Sequence, residues 1–120
     1  MGRYEIREGV VLKRANVGEA DRIVTFLTPE GKLAAVAKGV RKITSRKASH
    51  LELFSQVTIH LVETSGLPII QEIVSQNRFP RLRMDLDAAC QAFWAAELIG
   101  RLVQDEAGGT LYPYLIDYLT

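Results

Sequence analysis

Five of the thirteen residues from Lys38 to His50 are lysine or arginine, and none is acidic. The cations are Lys38, Arg41, Lys42, Arg46 and Lys47, interspersed with Gly39, Thr44, Ser45 and Ser49. Such a segment can follow a row of phosphates. Each cation takes an oxyanion and releases condensed counterions, while hydroxyls add donors. A solvated basic loop without a partner has the same composition. Lys13, Arg14 and Lys32 form a second group that can extend this basic track. Taken singly, each also reads as an exposed charge at a strand end.

Charge placement along the chain points the same way. Residues 1–50 hold eleven Lys/Arg against five Asp/Glu, and residues 51–120 hold four against nine. A net charge of +1 therefore conceals a basic half beside an acidic half. One surface turned toward a polyanion accounts for this, as does a chance imbalance of surface charge.

Little in the chain points to covalent chemistry. His50 and His60 are the two histidines, and His60 lies far in sequence from Cys90. There is no glycine-rich phosphate loop, no paired-cysteine motif and no His-x-x-x-His pair. Gly31-Lys32 lacks the rest of a P-loop, and Glu19 and Asp21 in one turn are a weak metal signal. The expectation is a non-enzymatic protein with no catalytic residue, metal, cofactor or small-molecule substrate. The single cysteine makes no internal disulfide and fits a reducing cytoplasm. No stretch of about 18 apolar residues could span a bilayer. The expected location is cytoplasmic and nucleoid-associated.

The elements that must position the cations follow from periodicity. Ile6, Val10 and Leu12 alternate with Arg7, Val11 and Lys13, predicting a strand that ends near Arg14. Asn16–Asp21 reads as a turn, and Arg22–Thr28 as a short β-branched strand. Thr28-Pro29-Glu30-Gly31 is a turn in which Gly31 can take φ > 0, and Lys32–Lys38 returns. Leu53, Ser55, Val57, Ile59 and Leu61 alternate with Gln56, Thr58 and His60, which places one face in a core. Thr64-Ser65-Gly66 closes a hairpin onto Leu67–Ser75, with Pro68 tolerated at the strand's end.

Five short strands avoid open edges by closing into a barrel. The OB-fold is the common five-stranded solution, and an SH3-like barrel is the alternative that spacing leaves open. In an OB barrel, loops flanking the binding face grip single strands. The barrel aromatics Tyr4, Phe26, Phe54 and Phe79 are scattered, and Phe26 and Phe54 read as core. Binding dominated by the nucleic-acid backbone is expected.

Past Phe79-Pro80 the period becomes helical. Asp85 can cap a helix whose apolar stripe runs through Leu86, Ala89, Cys90, Phe93, Ala96, Ile99 and Val103. Trp94 and Leu98 widen that stripe, Cys90 reads as buried packing, and Gln91 falls on the wet side. Ala107-Gly108-Gly109 ends the helix, and Leu111–Leu119 starts another with Pro113 in its first turn. Trp94 and Leu98 are either core or a surface for a protein partner, with core favoured because amphipathic stripes usually pack inward. An apolar helix at the terminus leads us to expect a piece of a longer protein, or pairing with another copy. The expected organisation is an OB-fold nucleic-acid-binding domain over 1–80 and a helical segment over 81–120 that begins a larger helical domain.

Several segments together resemble the bacterial recombination mediator and DNA repair family RecO. They are Gly18-Glu19-Ala20-Asp21-Arg22-Ile23-Val24, Leu27-Thr28-Pro29-Glu30-Gly31-Lys32, Val36-Ala37-Lys38-Gly39-Val40-Arg41-Lys42, Ser45-Arg46 and Leu51-Glu52-Leu53-Phe54. The resemblance covers roughly residues 4–80 and implies an N-terminal OB-fold. It implies binding to single- and double-stranded DNA, annealing of complementary strands, and action with RecR to load recombinase RecA on single strands coated by single-strand-binding protein. That coating protein's acidic tail is an implied partner. The resemblance assigns DNA contact to Lys38, Arg41, Lys42 and Arg46, and leaves Asp21-Arg22 as a turn-fixing pair. Many family members carry a four-cysteine zinc site in a later segment, and this chain has only Cys90. Members are about twice this length, so annealing and loading are expected to be incomplete in this chain.

Overall fold

The computed structural model describes residues 3–40, 52–79, 86–102 and 112–120, except for the side chains of 86, 87, 89 and 99–102. Five strands form a closed barrel: β1 (Tyr4–Val17), β2 (Asp21–Thr28), β3 (Gly31–Ala37), β4 (Gln56–Val62) and β5 (Ile69–Asn77). Among the described residues, two helices follow, α1 (Leu86–Leu102) and α2 (Tyr112–Leu119). The closed order is β1-β2-β3-β5-β4, antiparallel except where β3 meets β5 at Val36 and Ile69. This is the OB-fold, and it settles the alternative left by strand spacing.

β1 is longer than its apolar alternation indicates, because it serves two neighbours. Tyr4–Val10 pairs with β4, and Val10–Val17 pairs with β2. The strand changes partner beside Gly9, where an added Cβ would lie 3.0 Å from the Leu27 carbonyl oxygen and 3.2 Å from the Phe26 Cβ. A side chain there would force the two strands apart. The register shifts between Val11 and Lys13, a bulge that bends the strand around the barrel. Asn16 and Val17, expected in a turn, are in the strand. The turn itself is Gly18–Ala20, with Gly18 at φ 62. Gly31 takes φ 121, as its turn requires.

The buried residues described form two clusters. Val11, Val24, Phe26, Ala35, Ala37, Val40, Val57, Ile59, Leu61, Ile70 and Ile73 fill the barrel. Val10, Leu12, Leu27, Phe54 and Phe79 lie on its outer wall against Ala92, Ala96, Tyr112, Leu115 and Leu119 of the helices. This reverses the expected faces of the first strand. Val11, grouped with Arg7 and Lys13 as the polar set, points into the barrel, whereas Val10 and Leu12 point out beneath the helices. Ile6 shares the outward parity but lies beyond the helical cover, so it is exposed. Arg7 is mostly covered. It donates from Nη2 to the buried Thr28 hydroxyl at 3.0 Å and pairs with Glu5 and Glu30.

Phe54 and Phe79 are both buried and both left-handed, at φ 64 and φ 51. That conformation costs a bulky residue roughly 1–2 kcal/mol. Packing of each ring between barrel and helix offsets the cost. Hydrogen bonds help: the Phe54 amide donates to Val11 O at 2.7 Å, and the Phe79 amide to Asn77 Oδ1 at 2.8 Å.

The face of α1 toward the barrel is made of small residues. Ala92 and Ala96 are buried and Ala88 is half-buried, one turn apart, so the helix lies close to the wall. The stripe expected from sequence is therefore rotated. Cys90, expected as buried packing, is exposed. Trp94 and Leu98, for which core was favoured, are 73% and 42% exposed. Leu86, Ala89, Ile99 and Val103 of that stripe, with Asp85 and Ala107–Gly109, lie outside the described side chains.

Tyr112 anchors α2 to the barrel, accepting a 3.2 Å hydrogen bond from Gln56 Nε2. Burial raises its phenol pKa; the Gln56 bond opposes this, and the charges of Glu8 and Glu30 add to it. The folded chain thus keeps this proton to higher pH than the unfolded chain does. The stability it contributes is complete below about pH 10 and is lost as pH rises through the raised value. Urea midpoints measured across that range should fall, and Tyr112→Phe should remove this component of the fall.

Candidate nucleic-acid interface

The adjacent Lys13 and Arg14 and the distant Lys32 come together on the outer wall of the barrel. Lys13 and Arg14 follow the bulge of β1, and Lys32 opens β3. With Leu12, Thr25 and Leu53 they form the barrel side of a cleft of about 470 Å³, and Phe93, Ala96 and Glu97 of α1 form the helix side. The bulge and the small-residue face of α1 together create this cleft. The first redirects Lys13 and Arg14, and the second holds the helix beside them.

Positive charge predominates, with three cations to one carboxylate in the lining. Burial lowers the Arg14 pKa, Arg22 lowers it further, and Glu52 opposes them. Arg22 donates from Nε to Asn16 Oδ1 at 3.1 Å, which keeps it near Arg14 across the β1–β2 pair. An anion in the cleft relieves the repulsion between these like charges. Glu97 is the acidic residue of the lining.

Asp21 has a different role from the ion pair envisaged with Arg22. Its Oδ1 accepts the Gly39 amide at 2.7 Å, and Gly39 sits at φ 66. The carboxylate thus pins the turn that leads into the basic segment. Lys38 is exposed in that turn, so Lys32 and Lys38 bracket β3. Arg41, Lys42, Arg46 and Lys47 lie outside the described residues.

Sequence reasoning grouped Lys13, Arg14 and Lys32 by charge but missed Phe93 and Glu97 as their neighbours. Helical periodicity placed Phe93 in a buried stripe. In the structure the residue is 55% exposed at the cleft, and its ring packs edge-on to Phe54, with centroids 5.1 Å apart and planes at 82°. Trp94 and Leu98 do not join this site. With Cys90, Gln91, Ala95 and Tyr118 they line an apolar groove of about 540 Å³ elsewhere on the helices. Among the described residues, no group of three or more His, Cys, Asp or Glu could hold a metal.

Comparison with known proteins is consistent with this architecture. The family model for the recombination protein O N-terminal domain matches residues 1–79. The chain belongs to that family. A DNA repair protein RecO of Roseiflexus sp. is 45% identical over 100 residues, covering 83% of this chain and 35% of its own length. That of Myxococcus xanthus is 40% identical over 125 residues, covering 100% of the chain and 50% of its own length. That of Geobacter sulfurreducens is 37% identical over 114 residues, covering 93% and 47%. The chain thus spans half or less of the length of these RecO relatives. Among solved structures, the S. pombe Stn1-Ten1 complex is similar at a TM-score of 0.49 and 13% identity, over 79% of this chain and 76% of that one. RecO membership places the chain in a DNA repair family. No helix among the described residues is long and apolar enough to cross a membrane.

Proposed function

We propose that this RecO-family chain is the DNA-binding part of a recombination mediator, and that it holds DNA by the phosphate backbone with little dependence on sequence. The observation that carries this reading is the convergence of Lys13, Arg14 and Lys32 in one cleft on the β1–β3 wall. The β2–β3 face is where OB-folds take oligonucleotides. Lys38, Arg41, Lys42, Arg46 and Lys47 extend the track. Residues 1–80 are the binding unit, and residues 81–120 begin a larger helical domain. Both single- and double-stranded DNA are substrates. Strand annealing and recombinase loading on coated single strands, with RecR-type and single-strand-binding protein partners, belong to the longer protein. Each step is non-covalent and needs no catalytic residue.

Fluorescence anisotropy of a labelled single strand across a salt series tests this. Three cleft cations give a slope of log K against log salt of about −2, and the five that extend the track bring it to between about −5 and about −6. Absence of binding at low salt would overturn the reading.

The exposure of Trp94 and Leu98 favours a second role for the helical part. We assign their apolar groove to the stretch of chain that the longer relatives carry. Its described lining has no cation to receive an acidic peptide. Trp94 is the only tryptophan, so its emission reports on this face. It should be red-shifted and easily quenched by iodide in the 120-residue chain. Both properties should be lost in a chimera extended with the remainder of the Myxococcus xanthus relative. Persistent quenching in the chimera would reject that occupant. Trp94→Ala in the short chain should change stability by less than about 0.5 kcal/mol.

A further inference from the structure

We infer that the cleft between barrel and α1 seats a single unstacked nucleobase on the ring of Phe93, with the adjoining phosphates on Lys13, Arg14 and Lys32. This rests on the DNA-binding reading and adds what that reading does not specify: a base-sized seat and its stacking residue.

The two walls of the cleft differ in kind. The barrel wall carries the three cations, and the helix wall carries Phe93 and, one turn later, Glu97. A phosphate is attracted to the first wall and repelled by the carboxylate on the second. The backbone of a bound strand therefore follows the barrel, and its base turns toward the helix. There it meets Leu12, Leu53, Ala96 and the half-exposed aromatic ring.

The Phe93 ring is held by packed neighbours. Ala92 and Ala96 on either side of it are buried against the barrel, and Phe54, itself buried, holds the ring edge-on. A ring held in place loses little further freedom when a base stacks on it. Stacking of this kind tolerates any base, because every base has a π-face. The cleft's 470 Å³ lies in the range of small-molecule sites, which suits one nucleotide. Bases inside a duplex are stacked on their neighbours and offer no free face to a recessed ring. The seat thus favours single strands.

The test compares a labelled oligothymidylate with an oligonucleotide of the same length made of abasic sites. Both are titrated with wild type, Phe93→Leu, Phe93→Ala and the Lys13/Arg14/Lys32→Ala variant. Loss of base stacking should weaken oligothymidylate binding by about 5- to 100-fold in both Phe93 variants. Affinity for the abasic strand and the salt slope should stay as in wild type. The cation variant should lose affinity for both strands and flatten the slope. Phe93→Leu keeps an apolar contact with Phe54, and an unchanged thermal midpoint shows that it folds. If Phe93→Leu binds oligothymidylate as wild type does while the cation variant fails, the base seat is wrong and the DNA reading stands. If wild type binds neither strand at low salt, both fall.

Discussion

Replacing Lys13, Arg14 and Lys32 together by alanine should flatten the salt dependence of single-strand binding by about 2 in slope, from about 0.7 per neutralised phosphate. Between about 50 and about 200 mM salt, wild-type affinity should then fall about 20-fold more than that of the variant. At low salt the variant should bind roughly 100-fold more weakly, since each charge-assisted contact contributes on the order of 1 kcal/mol or more. Lys13 and Arg14 are exposed and Lys32 is half-buried, so the fold should survive. Loss of Arg14 also removes its repulsion with Arg22. An Arg41/Lys42/Arg46/Lys47→Ala variant, measured in parallel, divides the slope between cleft and loop. If the cleft variant keeps the full slope, the cleft does not touch phosphate.

Phe26→Ala should cost about 3–5 kcal/mol, a large part of the roughly 5–15 kcal/mol that holds a domain of this size together. Phe26 is fully buried in the barrel core, pairs in register with Val11 and Leu33, and sits beneath Gly9. A closed barrel relaxes poorly into a cavity, because each wall strand is hydrogen-bonded on both sides. The urea midpoint should fall sharply with little change in slope, the signature of lost stability rather than a changed denatured state. A cost below about 1 kcal/mol would show that the ring is not central to the core. Phe93→Leu, on the helix wall, should by contrast leave the midpoint nearly unchanged, which separates fold from site.

The strands were legible because β-branched and apolar residues recur with period 2 between Gly- and Pro-bearing turns. Val57, Ile59 and Leu61 read inward from spacing alone, and they are inward. The faces of β1 were not legible. Val10, Val11 and Leu12 form a continuous apolar run, because the strand packs against the barrel interior on one side and helices on the other. Alternation assumes one wet face, and here neither face is wet. The rotation of α1 escaped for a related reason. Ala96 was expected on the inner face and is there, but Ala92 carries little apolar area, so a pattern weighted by size passed over it and took Phe93, Trp94 and Leu98. Close approach to a flat wall favours the smallest side chains, which leaves the large ones at the rim or in solvent.

Sequence alone determined that this protein is a five-stranded barrel followed by helices, with a basic half and RecO-type segments in RecO-type order. Those properties depend on local periodicity, turn chemistry and charge, which neighbours along the chain carry. Only the tertiary structure decided that Lys13, Arg14 and Lys32 share one cleft, that Phe93 faces them, that Asp21 pins Gly39, and that Trp94 is left in solvent. Each of these depends on where a bulge bends β1 and how closely α1 approaches it. Barrel closure sets both, through contacts between residues far apart in the chain.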